Sequence, residues 1–297
     1  MGAEVHGVSR RQREPCVDGP SRWWKSDIEN VDEARALWDA VKPDVIYHMS
    51  GAVNGAPDLE LLLPCFRSIL SSTVNLLSVA ASSGCRRIVL SSSLEDEDGP
   101  ESDGVPASPY AAAKMAALQY SRMCYSVFGV PVVLLRPFMG YGPGQPTWKV
   151  IPSAVSALLK GEPPVLSSGQ RELDWIFVDD ITDAYVNAGF AAGIEGKTFD
   201  IGTGKLTSIR EVVNHLVSLL NSSVQPQFGQ MPDRPLRSAR RADTAHTETL
   251  LGWRPKTPLE EGLRRTVEYL SELGPPSDVQ HCRSRRPTVD SDQPVDA

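Results

Sequence analysis

Apolar residues follow two rhythms along this chain. Short unbroken runs, Val45-Ile46-Tyr47-His48-Met49, Ile88-Val89-Leu90 and Val132-Val133-Leu134-Leu135, have the length and β-branched content of buried strands. Between them, apolar positions recur every three or four residues, which predicts helices over 31–41, 59–83 and 108–128. Lys42-Pro43-Asp44 stops the first helix, and Gly84 stands at the C-cap of the second. A short strand is expected over 3–8. Residues 14–26 read as a polar loop carrying an exposed Trp23-Trp24 pair. Strands alternating with helices predict βαβ units and an α/β fold, a Rossmann-like doubly wound parallel sheet. After Gly144 the texture changes. Helices are expected over 151–160, 181–192, 208–220 and 258–273, with a short strand and turn over 198–204. From Gly274 onward apolar residues nearly vanish, and 274–297 reads as a disordered tail.

Candidate chemistry concentrates between Ser91 and Lys114. Tyr110 and Lys114 are four residues apart among good helix formers, so phenol and ammonium share one helix face. A nearby cation stabilises a phenolate and lowers a pKa that is ordinarily about 10, which suits a proton carrier. Ser91-Ser92-Ser93 ends the strand just upstream and offers hydroxyls to the same oxygen. Tyr-x-x-x-Lys also arises by chance. Position adds independent support, because Ser50, Ser91–Ser93 and 137–139 all follow strands, where doubly wound sheets bind ligands.

Composition narrows the partners. The 297 residues are 41% hydrophobic and 23% charged, and the net charge of −7 argues against a general nucleic-acid binder. Cys16, Cys65, Cys85, Cys124 and Cys282 are scattered without CxxC spacing, and the five histidines are equally dispersed, so no disulfide framework or metal site is suggested. No apolar run approaching the roughly 18 residues of a membrane span and no signal-peptide core is read, so a soluble, cytoplasmic protein without a membrane partner is expected.

Taken in order, the motifs resemble those of the extended short-chain dehydrogenase/reductase family, in its NAD(P)-dependent nucleotide-sugar epimerase/dehydratase branch. They are Asp27-Ile28, Ile46-Tyr47-His48-Met49-Ser50, Ser91-Ser92-Ser93, Tyr110-x-x-x-Lys114, Arg136-Pro137-Phe138-Met139-Gly140-Tyr141-Gly142-Pro143-Gly144, Asp174-Trp175-Ile176-Phe177-Val178-Asp179-Asp180, Phe199-Asp200-Ile201-Gly202-Thr203-Gly204 and Leu250-Leu251-Gly252-Trp253-Arg254-Pro255. The resemblance implies a Rossmann domain for NADP or NAD over 1–145, a substrate lobe mainly over 146–273, a nucleotide-sugar substrate and a homodimer built on the helices at 59–83 and 108–128. It implies Tyr110 as general base, Lys114 on the nicotinamide ribose, Ser93 on the reacting oxygen, and Asp27 and Ile28 beside the adenine. Met49, Ser50, Gly51, Ser91, Pro137 and Tyr110 itself complete the implied cofactor site. Met139, Arg171 and Arg234 join Ser93 toward the substrate, Arg234 at its diphosphate.

Four departures from the family pattern matter. The chain starts at what corresponds to the second strand, so about 25 residues of the roughly 30-residue phosphate-binding βαβ unit are absent and weak NAD(P) binding is expected. That start reads as a truncation, a miscalled start or a real loss. Ser9-Arg10-Arg11 stands where NAD-preferring members carry an acid, which accommodates NADP. Glu95, two residues after Ser93, occupies the place of the dehydratase acid, or else simply opens the acidic run Asp96-Glu97-Asp98. Met139 replaces a frequent Asn, and Leu173 a frequent Arg with Arg171 nearby. Two other outcomes fit these residues: an NADP-dependent ketoreductase on a 4-keto nucleotide sugar, and a non-catalytic scaffold of the same fold.

Overall fold

A computed structural model describes residues 2–13, 19–94, 105–233 and 239–273 of the chain. Its central sheet has the parallel order β3 (Val45–His48), β4 (Arg87–Ser91), β5 (Val132–Pro137) and β8 (Thr198–Ile201). Successive side chains on a strand point to opposite faces, and here both faces are covered. Ile88, Leu90, Val132 and Leu134 enter one core with Trp38 of α1 (Val31–Val41), Leu77 of α3 (Ser72–Ser83) and Leu118 of α4 (Pro109–Phe128). Val89, Val133 and Leu135 enter the other, with Tyr185 of α6 (Val178–Phe190), Phe199 and Trp253. Double burial is why these strands read as unbroken apolar runs.

The helices around the site carry local signals. Ser108 caps α4, its Oγ accepting from Ala111 N at 3.1 Å; Pro109 fills the first turn and Gly129 ends the helix at φ 68°. Gly189 lets α6 pack closely on β3: a Cβ there would lie 2.0 Å from the Tyr47 hydroxyl, and the Tyr47 side chain would have to move to admit it.

A second sheet orders β6 (Met139–Tyr141), β7 (Glu172–Phe177) and β9 (Leu206–Ser208), with α5 (Val150–Leu159), α7 (Ile209–Leu219) and α9 (Leu259–Glu272) around its core. Two buried carboxylates of the Asp174–Asp180 motif hold this region together. Asp174 Oδ1 accepts from Thr203 N and Thr203 Oγ1, and its Oδ2 accepts from Gly204 N and Ala242 N, at 2.7–3.0 Å. Asp180 accepts from Lys256 N at 3.2 Å and Thr257 N at 2.9 Å. Across the central sheet, the register partners Arg136 and Asp200 form a buried ion pair at 2.8 Å.

Several expectations are corrected. Trp23 and Trp24 lie in a strand, β2 (Arg22–Lys25), paired in parallel with β1 (His6–Ser9). Both are half-buried; Trp24 Nε1 donates to His6 Nδ1 at 2.9 Å, and Arg22 stacks over the Trp24 ring at 3.9 Å. Aromatic and cation contacts stabilise a strand whose flanks look like loop. The helix at 59–83 is four segments: a 3-10 turn Leu59–Leu61, α2 (Leu62–Cys65), a π-helical turn Phe66–Ser71 and α3. By length and composition this stretch is apolar enough to cross a membrane, contrary to the sequence reading; here it packs against α1 and α4 with Ile69, Leu76 and Leu77 buried. β6, β9 and α8 (Thr244–Leu251) escape the periodicity altogether, being too short to show one. Among the described residues, β1 pairs on one side only, with β2, and β3 on one side only, with β4.

Candidate active site

The strand end and the helix start meet as their spacing suggests. Lys114 is 8% exposed, and its Nζ donates to the backbone oxygen of Ser91 at 2.6 Å while lying 5.9 Å from the centre of the Tyr110 ring. Ser92 and Ser93 follow β4 and are both buried. The Ser92 hydroxyl has no hydrogen-bond partner among the described residues. A buried, unpartnered hydroxyl at the carboxyl edge of a parallel sheet fits a polar ligand that completes its bonding.

Around this pair lie two groups that sequence reasoning missed. Tyr185, from α6, lies beside the Ser91 side chain and within electrostatic reach of Tyr110. Burial pushes its phenol well above the ordinary range, with the neighbouring Ser91 hydroxyl pulling the other way and Tyr110 adding to the rise, so Tyr185 stays a neutral O–H. His48 is buried at the end of β3. Burial first, and the Lys114 charge second, lower its pKa from 6.5 to about 3, so the imidazole is neutral. No alternation or motif marks Tyr185, which reads as ordinary core, and His48 lies inside the Ile46–Ser50 motif without a role of its own being read there.

The loops expected to hold a cofactor lie at the strand ends. Met49 and Ser50 are exposed past β3; Gly51 follows at φ 153°, and a Cβ there would sit 2.8 Å from Ile69 Cγ1. Asp27 Oδ1 accepts from Glu29 N at 3.1 Å. The carbonyls of Ile28 and Glu29 accept from Asn75 Nδ2 at 3.0 and 2.9 Å, a support from α3 that the sequence did not signal. At the end of β1, Ser9 Oγ accepts from Arg11 N at 3.3 Å, and Arg10 pairs with Glu29 at 3.3 Å rather than standing free for a phosphate. Pro137 closes β5, Met139 opens β6 against the second core, and Arg171 is half-buried just before β7. Glu95 and Arg234 lie outside the described residues.

The donor set fits a dinucleotide: an ammonium and hydroxyls at one end, and a loop carboxylate with backbone held by Asn75 at the other. Among the described residues no group of three or more His, Cys, Asp or Glu could hold a metal ion.

Residues 1–202 match the model of the NAD dependent epimerase/dehydratase family. The UDP-glucose 4-epimerase of Mycolicibacterium smegmatis is 32% identical over 259 residues, which cover 82% of this chain and 81% of that protein. The dTDP-D-glucose 4,6-dehydratase of Mus musculus is 26% identical over 284 residues, covering 88% of this chain and 75% of that one. Among solved structures, the UDP-glucose 4-epimerase of Thermotoga maritima with UDP-glucose superposes with a TM-score of 0.82 over 92% of each chain, at 22% identity, a likeness of fold.

Proposed function

Because the chain belongs to the NAD dependent epimerase/dehydratase family, we propose that it epimerises or dehydrates a nucleotide-linked sugar through a transient ketone, using NAD(P) and Tyr110 as the base. The observation that supports this most is the buried Lys114 ammonium, anchored on Ser91 O beside Tyr110. Tyr110 takes the proton of a sugar hydroxyl as the carbon beneath it is oxidised. Lys114 stabilises the phenolate form of Tyr110 that accepts this proton. NAD(P), when bound, supplies the hydride acceptor. Ser93 donates to the reacting oxygen, and the neutral Tyr185 lies behind the pair beside Ser91. Glu95 is assigned to proton transfer at the neighbouring carbon and Arg234 to the diphosphate, with Met139 and Arg171 shaping the pocket. Residues 146–273 form most of the sugar-nucleotide lobe. A homodimer would cover the exposed Leu62, Leu63 and Phe66 of the 59–83 helix and Met123, Val127 and Phe128 of α4.

The test is direct incubation with UDP-glucose or dTDP-glucose and NAD or NADP, with product analysis by NMR. A C4 epimer identifies an epimerase, and a product that has lost water identifies a dehydratase. Stoichiometric NADPH consumption on a 4-keto sugar identifies the reductase instead. Binding of these nucleotides without turnover of any of them would leave the scaffold and overturn the enzymatic reading.

A further inference from the structure

The loop after β3 is shaped from behind by an irregularity in the neighbouring helix. Within the π turn Phe66–Ser71, the backbone N–H of Ser72 bonds Arg67 O and Ile69 O, bypassing the carbonyl of Ser68. That carbonyl instead accepts the Ser72 hydroxyl at 2.8 Å. A hydroxyl has one proton, so Ser72 Oγ faces its next neighbour as an acceptor. That neighbour is His48 Nε2, at 3.2 Å. A neutral imidazole that donates from Nε2 must accept at Nδ1, and the Ser50 hydroxyl lies there at 3.3 Å. One turn earlier, Ser68 Oγ donates to Pro64 O at 2.6 Å and accepts from Ala52 N at 3.0 Å. Between these two grips the side chain of Ile69 fills the space that only a glycine at position 51 leaves open.

We propose that Ser68, Ile69 and Ser72, presented by the π turn, act with His48 as a clamp that positions residues 50–52 for the dinucleotide, with His48 locked as the Nε2–H tautomer. His48, Ser68 and Ser72 are positioning residues: the clamp sets where the Ser50 hydroxyl points and where the backbone of Gly51 runs. The inference rests on the reading of Ser50 and Gly51 as cofactor-binding and adds what determines their conformation.

Two measurements on the full chain test it. Long-range ¹⁵N–¹H correlation of the His48 ring at neutral pH is expected to show a protonated Nε2 and a bare Nδ1; an Nδ1–H ring, or fast averaging of the two, overturns the clamp without any mutation. NAD titration followed by NMR is expected to show roughly five- to tenfold weaker binding for Ser72→Ala and for Ser68→Ala, the low end of the range for a donor left unpartnered. Ser72→Thr, which keeps the hydroxyl, should restore wild-type affinity. The matched control is Thr266→Val, which removes a buried helix back-bond in α9 far from the loop and should leave NAD affinity unchanged. Wild-type binding with unaltered affinity in both serine variants sinks the clamp alone. Failure of the wild type to bind NAD or NADP at all removes the cofactor reading, and the clamp with it.

Discussion

Two ends of the candidate cofactor site are built differently. At the Tyr110 end, β4 is buried along Arg87–Leu90, Lys114 is 8% exposed and anchored on backbone, and Tyr185 and His48 close the surroundings as neutral groups. At the Arg10 end, a two-stranded ribbon carries an arginine whose side chain is 68% exposed and meets Glu29 at 3.3 Å. Low-dielectric surroundings strengthen each interaction at the first end, whereas solvent screens those at the second. Under the proposed function, proton handling falls to groups fixed by the core, and any preference between NAD and NADP to charges that water weakens.

The strongest way to break this contrast is Tyr110→Phe, which should lower kcat by about 10²–10⁴-fold with the melting temperature and NAD affinity nearly unchanged; residual turnover near wild type would remove Tyr110 from the chemistry. Next is Asp174→Ala. It strips the acceptor from four donors around a carboxylate that is 2% exposed and should cost on the order of 3 kcal/mol in denaturant unfolding; a loss within error would mean the second sheet does not depend on this hub. Acid titration probes the neutral histidine. The folded pKa of His48 is lowered from 6.5 to about 3, so between those values the unfolded chain binds the extra proton, and stability must fall as pH drops through that window. A His48→Gln variant should show a flatter acid limb in urea midpoints. The smallest effect belongs to the exposed end. Arg10→Ala should leave the melting temperature unchanged yet weaken NADP more than NAD; equal loss for both cofactors would show that Arg10 does not discriminate the 2′-phosphate.

Much of the central sheet was legible because its strands are buried on both faces and its helices carry complete start and stop signals, as Ser108, Pro109 and Gly129 do for α4. The Tyr110 and Lys114 pair was legible for the same reason: four residues on one helix fix their relation locally. The Trp23-Trp24 strand was misread because its stability comes from His6 and Arg22, contacts that no period-two pattern announces. The π turn was hidden as well, since one bypassed backbone bond leaves the run of apolar residues over 59–83 intact.

The sequence by itself determined the alternation of strands and helices, the family, and the joint placement of Tyr110 and Lys114, because these follow from periodicities and spacings within one or two elements. Only the tertiary structure decided that Asp174 would gather backbone from 29 to 68 residues away, that Tyr185 would stand behind Ser91, and that His48 would reach Ser72 across 24 residues. Those relations bury polar groups against distant partners, and which partner satisfies a buried donor is settled by packing rather than by any local pattern.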